Sequence, residues 1–138
     1  MEIKEKIDVL VMDDDSDLCM LMETILRFNN YRVRSCNNVR VFEAVLGTVE
    51  PSMIIIDMLL AGLDGRDICR QLKKADATQH IKVMMVSAHP DADKSCREAG
   101  ADDFLIKPFD LDDFTAKVAA FLKKQKKVQT DQSLECKQ

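Results

Sequence analysis

Short apolar runs and helically spaced apolar stripes alternate along almost the whole chain, and few folds accept that rhythm. Ile7 to Met12 reads as a buried strand, followed by Leu18, Leu21, Met22, Ile25 and Leu26 at helical spacing up to a stop at Asn29-Asn30. Tyr31 to Ser35 alternates apolar with polar, as a half-exposed edge strand does. Val39, Phe42, Leu46 and Val49 mark a second helix ahead of Glu50-Pro51. Met53 to Ile56 is a fully apolar third strand ending at Asp57, and a helix with Ile68 and Leu72 inward runs from Asp64 to about Ala75. Val83 to Val86 is a fourth strand ending at Ser87, and Pro90 to Ala99 a short helix opened by proline and closed by Gly100. Phe104 to Ile106 is a fifth strand ending at Lys107-Pro108. Leu111, Phe114, Val118, Phe121 and Leu122 give the last helix its stripe.

Five β–α units in strict alternation predict a doubly wound α/β fold. Its five-stranded sheet is parallel, with helices on both faces. The continuous apolar strands fit burial from both sides. At 138 residues the chain has room for one domain. That domain is expected over residues 1–124, followed by a polar tail, 125–138, that lacks apolar periodicity and is expected to be disordered. A net charge of −4 disfavours direct nucleic-acid binding. The charged N-terminus has no signal-peptide core, and no apolar run is long enough to insert in a membrane. Five scattered cysteines, none in a C-x-x-C pair, argue against a disulfide framework or a zinc site and favour the reducing cytoplasm.

The chemistry is concentrated where strands finish. VLVMDDDSDL, residues 9–18, ends its apolar run in Asp13, Asp14 and Asp15. Two unit charges about 4 Å apart repel by roughly 4 kcal/mol at an effective dielectric near 20. A helix cap needs one such oxygen, which Ser16 could supply. Asp57, Ser87 and Lys107 end three further strands, and in a parallel sheet all these ends share one edge, where ligands bind. Three carboxylates without His or Cys call for a hard cation such as Mg²⁺. A lysine and a hydroxyl suit phosphoryl oxygens, and a carboxylate can serve as a nucleophile toward phosphorus. Singly, Asp57 reads as a loop cap, Ser87 as a turn residue and Lys107 as a solvated lysine. Their shared edge makes coincidence a poor account.

With VLVMDDD, IIIDMLLAGLDG, VMMVSA and DDFLIKPF in order, each after a strand, the chain resembles the receiver domain of two-component response regulators over about residues 6–124. The resemblance implies a flavodoxin-like strand order, 2-1-3-4-5. Asp57 is then the phospho-acceptor; Asp13, Asp14, Asp57 and the Leu59 backbone carbonyl hold Mg²⁺; Lys107 pairs with the phosphoryl group. Ser87 and Phe104 form the switch, and a cis peptide joins Lys107 to Pro108. The implied partners are a histidine kinase or phosphotransfer protein and a downstream protein docking on the fourth helix, fifth strand and fifth helix. With no output domain in the sequence, a stand-alone regulator, not an enzyme, is expected. The loop after Asp57 departs from the usual D-x-x-M-P-x-x-D-G by having Leu60 and Ala61 in place of Met and Pro. Apolar Leu59 cannot orient a water, which predicts a long-lived phosphoryl state, and His89 reads as an exposed loop imidazole.

Two other readings compete. A haloacid dehalogenase-type phosphatase would use Asp13 as nucleophile and Asp15 as acid, but it leaves Asp57 without a role and expects acidic ligands beyond the lysine. A receiver that serves as a scaffold without phosphorylation would not need the full residue set present here. An EF-hand fails, because DDDSD lacks the glycine and the distant glutamate.

Overall fold

The computed structural model describes residues 3–122; the tail expected over 125–138 lies outside them. Strand β1 (Glu5–Met12) is followed by α1 (Ser16–Phe28), β2 (Val33–Cys36), α2 (Val39–Leu46) and β3 (Val49–Asp57). Two short strands, β4 (Leu59–Leu60) and β5 (Leu63–Asp64), lead into α3 (Gly65–Lys74). Then come β6 (Lys82–Ser87), α4 (Ala92–Glu98) and β7 (Asp103–Ile106), and helix α5 occupies residues 111–122. The main sheet is parallel throughout, in the order β2-β1-β3-β6-β7, which is the order the resemblance implies.

Alternation along each strand divides the core in two. Val9 and Val11 point with Met53, Ile55, Met84 and Val86 toward Met22, Leu26, Phe114 and Val118, so α1 and α5 share one face. Leu10, Met12, Ile54, Ile56 and Met85 point the other way, onto Phe42, Cys69, Leu72 and Cys96 of α2, α3 and α4. Burial on both faces explains why these strands are apolar without interruption.

Four local expectations change. β3 begins at Val49, four residues before Met53, so Val49 belongs to a strand and not to the second helix. Residues 49–51 pair with β1 alone, because β6 joins only from Met53 onward. An edge of that kind tolerates Pro51, which has no N–H to give. Asp15, not Ser16, caps α1: its carboxylate accepts the N–H groups of Asp17 and Leu18. Pro90 lies outside α4, whose N-cap Asp91 makes no side-chain capping bond. The β4–β5 ribbon, too short to leave a periodic signal, was not anticipated.

Candidate phosphoryl-accepting site

Strand register assembles the site. Met12 pairs with Ile56 and Val86 with Asp57, so Asp13 and Asp57 emerge side by side at the carboxyl edge, where strand order reverses between β1 and β3. Ser87 pairs with Ile106, and the Lys107 N–H donates to the Ser87 carbonyl at 2.8 Å, which locks the ends of β6 and β7 together. All the expected site residues except Leu59 and Phe104 therefore gather from the ends of four strands.

Lys107 is the electrostatic hub. Its Nζ stands 3.1 Å from Asp13 Oδ2 and 3.3 Å from Asp57 Oδ2. Burial works against its charge, but the two carboxylates outweigh that and raise its pKa. Asp57 is pushed up to about 6, by burial first and the Asp13 charge second, with Lys107 pulling the other way. Asp13, 1% exposed, also accepts the Asp15 N–H at 2.9 Å. Asp14 is exposed, and its Oδ2 accepts the Ala61 N–H at 2.9 Å.

Asp13, Asp14 and Asp57 each offer an oxygen within 4.8 Å of the others. Three carboxylates face one ammonium there, an excess of negative charge made only of oxygen donors. That is the donor set of a hard divalent cation. Leu59 presents an exposed side chain, and its N–H donates to Asp57 Oδ1 at 3.4 Å. The Ser87 Oγ is buried and accepts the His89 N–H at 3.0 Å, while the His89 ring is exposed as expected. Phe104, one strand away, is buried with Ala92, Cys96 and Ala99. The Lys107-Pro108 peptide is cis.

The family model of the response regulator receiver domain matches residues 9–119. The chain belongs to that family. Among curated relatives, the DNA-binding dual master transcriptional regulator RpaA of Synechocystis is 29% identical over 122 residues, covering 87% of this chain and 51% of RpaA. Response regulator MprA of Mycolicibacterium vanbaalenii is 30% identical over 116 residues, 84% of this chain and 50% of that protein. The chain thus spans about half the length of the curated relatives it matches. The receiver domain of NtrX from Brucella abortus superposes with a TM-score of 0.75 at 30% identity, covering 84% of this chain and 98% of that one. Receiver domains are regulators of two-component signalling rather than enzymes in the usual sense, and this one keeps an acidic pocket at the expected place.

Gly65 holds the carboxyl end of β3 in a way the motif alone does not reveal. A Cβ at Gly65 would lie 2.2 Å from the Asp57 carbonyl oxygen, and the Gly65 N–H donates to Met58 O at 2.7 Å. Sequence reading also missed an apolar groove of about 430 Å³ that opens beside Lys107, between Leu18, Leu21, Pro108, Phe109 and Leu111. Its signal was present, since the α1 stripe is wider than a core face requires and Leu21 stays 45% exposed. No helix among the described residues is long and apolar enough to cross a membrane.

Proposed function

We propose that this chain accepts a phosphoryl group on Asp57 and passes the event on by changing a protein-docking face. The observation that carries the reading is the placement of Asp57 among Asp13, Asp14 and Lys107 at the edge where strand order reverses. With a pKa of about 6, Asp57 is ionised and nucleophilic at neutral pH. Its carboxylate oxygen attacks the phosphorus of a phosphohistidine on a histidine kinase or phosphotransfer protein. A P–O bond forms as the P–N bond breaks, and the imidazole nitrogen leaves with the electron pair. Lys107 is within reach of the new phosphoryl oxygens. The apolar groove shares Lys107 with the site, which supports docking of the phosphodonor there.

The donor set suits Mg²⁺ on Asp13, Asp14, Asp57 and the Leu59 carbonyl. When bound, the ion supplies the positive charge that lets three carboxylates and a phosphoryl group share one pocket. Ser87 gives up its bond from His89 and donates its own O–H to the phosphoryl group, and Phe104 repacks beneath α4. The downstream partner docks on α4, β7 and α5, where Arg97 pairs with Asp93 and Asp103, and Lys117 also reaches Asp103. Leu59 offers no polar atom on its side chain to steer a water, so the acyl phosphate is long-lived; rapid loss of label from the isolated phosphoprotein would overturn that point. The described cysteines are free thiols, in keeping with work in the cytoplasm.

The test is intact mass after incubation with a small phosphodonor and Mg²⁺, on wild type and Asp57→Ala. A Mg²⁺-dependent phosphoryl adduct, absent from the variant, is the expected result. No adduct on the wild type would favour a scaffold role. An adduct that survives Asp57→Ala but disappears in Asp13→Ala would point to phosphatase-type chemistry, although Asp15, which that chemistry needs as acid, here caps α1.

A further inference from the structure

The three pocket carboxylates are not held alike. Asp13 is buried against Lys107 and the Asp15 N–H, and Asp57 is buried against Lys107. Asp14 is exposed, and an exposed aspartate ordinarily samples several rotamers. Its Oδ2 instead accepts the backbone N–H of Ala61, 47 residues away, at 2.9 Å. Ala61 is at the tip of the β4–β5 ribbon, between Leu60 and Leu63, which pair with each other. This is one of the positions where the loop departs from its usual pattern, with alanine in place of proline. The difference is chemical, because a proline there has no N–H to donate.

We propose that the Ala61 N–H is a positioning group for metal binding: by holding the Asp14 carboxylate at Oδ2 it fixes the orientation in which that carboxylate would meet a divalent cation. This rests on the reading of Asp13, Asp14 and Asp57 as the cation site. A hydrogen bond to an ionised carboxylate is among the stronger kinds, and partners that orient a metal ligand raise affinity by fixing its geometry before the ion arrives. The ribbon would then serve the metal site through the N–H at its tip as well as through the Leu59 carbonyl. The bond also ties the segment after the phospho-acceptor to the segment after β1.

The local backbone allows a clean test. Gly62 has φ 73°, whereas Ala61 is not among the positive-φ residues, which is the φ pattern of a type II turn. Proline is common at the first central position of such turns, and Leu60, being in a strand, has the extended backbone that a following proline requires. Ala61→Pro therefore removes the N–H while keeping the turn. Ala61→Gly keeps the N–H while loosening it.

The experiment is Mn²⁺ binding to the unphosphorylated full chain, read from free Mn²⁺ by electron paramagnetic resonance, with Mg²⁺ as competitor and circular dichroism to confirm folding. Ala61→Pro is expected to weaken Mn²⁺ and Mg²⁺ about tenfold, in line with the loss of a group that orients a metal ligand. Ala61→Gly should bind as the wild type does. In an Asp14→Ala background the proline should make no further difference, a non-additivity that a merely stiffer loop would not produce. Equal affinity of wild type and Ala61→Pro, or weakening that persists without Asp14, overturns the positioning role and leaves the cation site intact. Absence of binding by the wild type overturns both.

Discussion

Helices α1 and α4 both leave the carboxyl edge of the sheet soon after a site side chain, yet they are held by different means. α1 runs for 13 residues, is capped by Asp15, and buries Cys19, Met22 and Leu26. α4 runs for seven residues, has no side-chain cap, and buries only Ala92 and Cys96. Small side chains bury little apolar area, and burial stabilises by about 25 cal/mol per Å². Polar contacts make up part of the difference for α4: Arg66 donates to Ser95 Oγ at 3.0 Å, and Arg97 pairs with Asp93 and Asp103. Apolar packing is hard to exchange piecemeal, whereas hydrogen bonds near the surface trade readily with water. The acids after β1 thus stand beside a firmly packed helix, and Ser87 stands beside a lightly packed one.

Core truncation tests that contrast most severely. Leu26→Ala in α1 is expected to lower stability by ~3 kcal/mol in urea unfolding, and Cys96→Ala in α4 by ~1 kcal/mol. Equal losses would break the comparison.

The strand ends should differ in their response to pH. Folding raises the Asp57 pKa to about 6, so the unfolded chain releases that proton at lower pH than the native one does. Wild type therefore loses stability as pH rises from the ordinary carboxylate range through 6. Asp57→Asn escapes that loss. In metal-free buffer it should be the more stable protein above pH 6, by ~2 kcal/mol, with the advantage fading on acidification. Ser87→Ala should leave the pH profile unchanged. An Asp57→Asn profile parallel to that of wild type would refute the assignment.

Capping offers a subtler comparison. Asp15→Ala should cost ~1 kcal/mol, and Asp91→Ala close to nothing, both read from urea midpoints. A similar loss in the two variants would mean that α4 is capped after all. Smallest in global terms is Ser95→Ala, expected within ~0.5 kcal/mol of wild type. Its effect should be local: faster hydrogen exchange at α4 amides and none at those of α1. Unchanged exchange in α4 would show that the Arg66 contact does not restrain the helix.

How much of this could be read in the sequence follows from the length scale of each signal. The strands of the sheet centre announced themselves because burial on both faces leaves unbroken apolar runs such as Met53 to Ile56. The polar residues that interrupt those runs had to fall on one edge once the sheet was parallel, which is why Asp13, Asp57, Ser87 and Lys107 could be grouped without coordinates. Signals carried by single residues were weaker. Pro51 suggested a break, and only the one-sided pairing of residues 49–51 explains why the strand continues through it. Ser16 was read as the cap and Asp15 takes that place, a choice that lies in backbone angles that no pattern encodes. Ala61 stood out as a missing proline, but the direction of its N–H is a tertiary fact.

Gly65 has a consequence for how such a chain tolerates change. Its missing side chain lets the backbone of α3 rest on the carbonyl of Asp57, and its N–H closes the loop onto Met58. Residues 59–64 therefore form a cartridge clipped at both ends, with the Asp57 main chain held by contacts that lie outside it. New chemistry written into the cartridge would be felt by Asp14 and by whatever approaches from solvent, while the Asp57 main chain keeps its place.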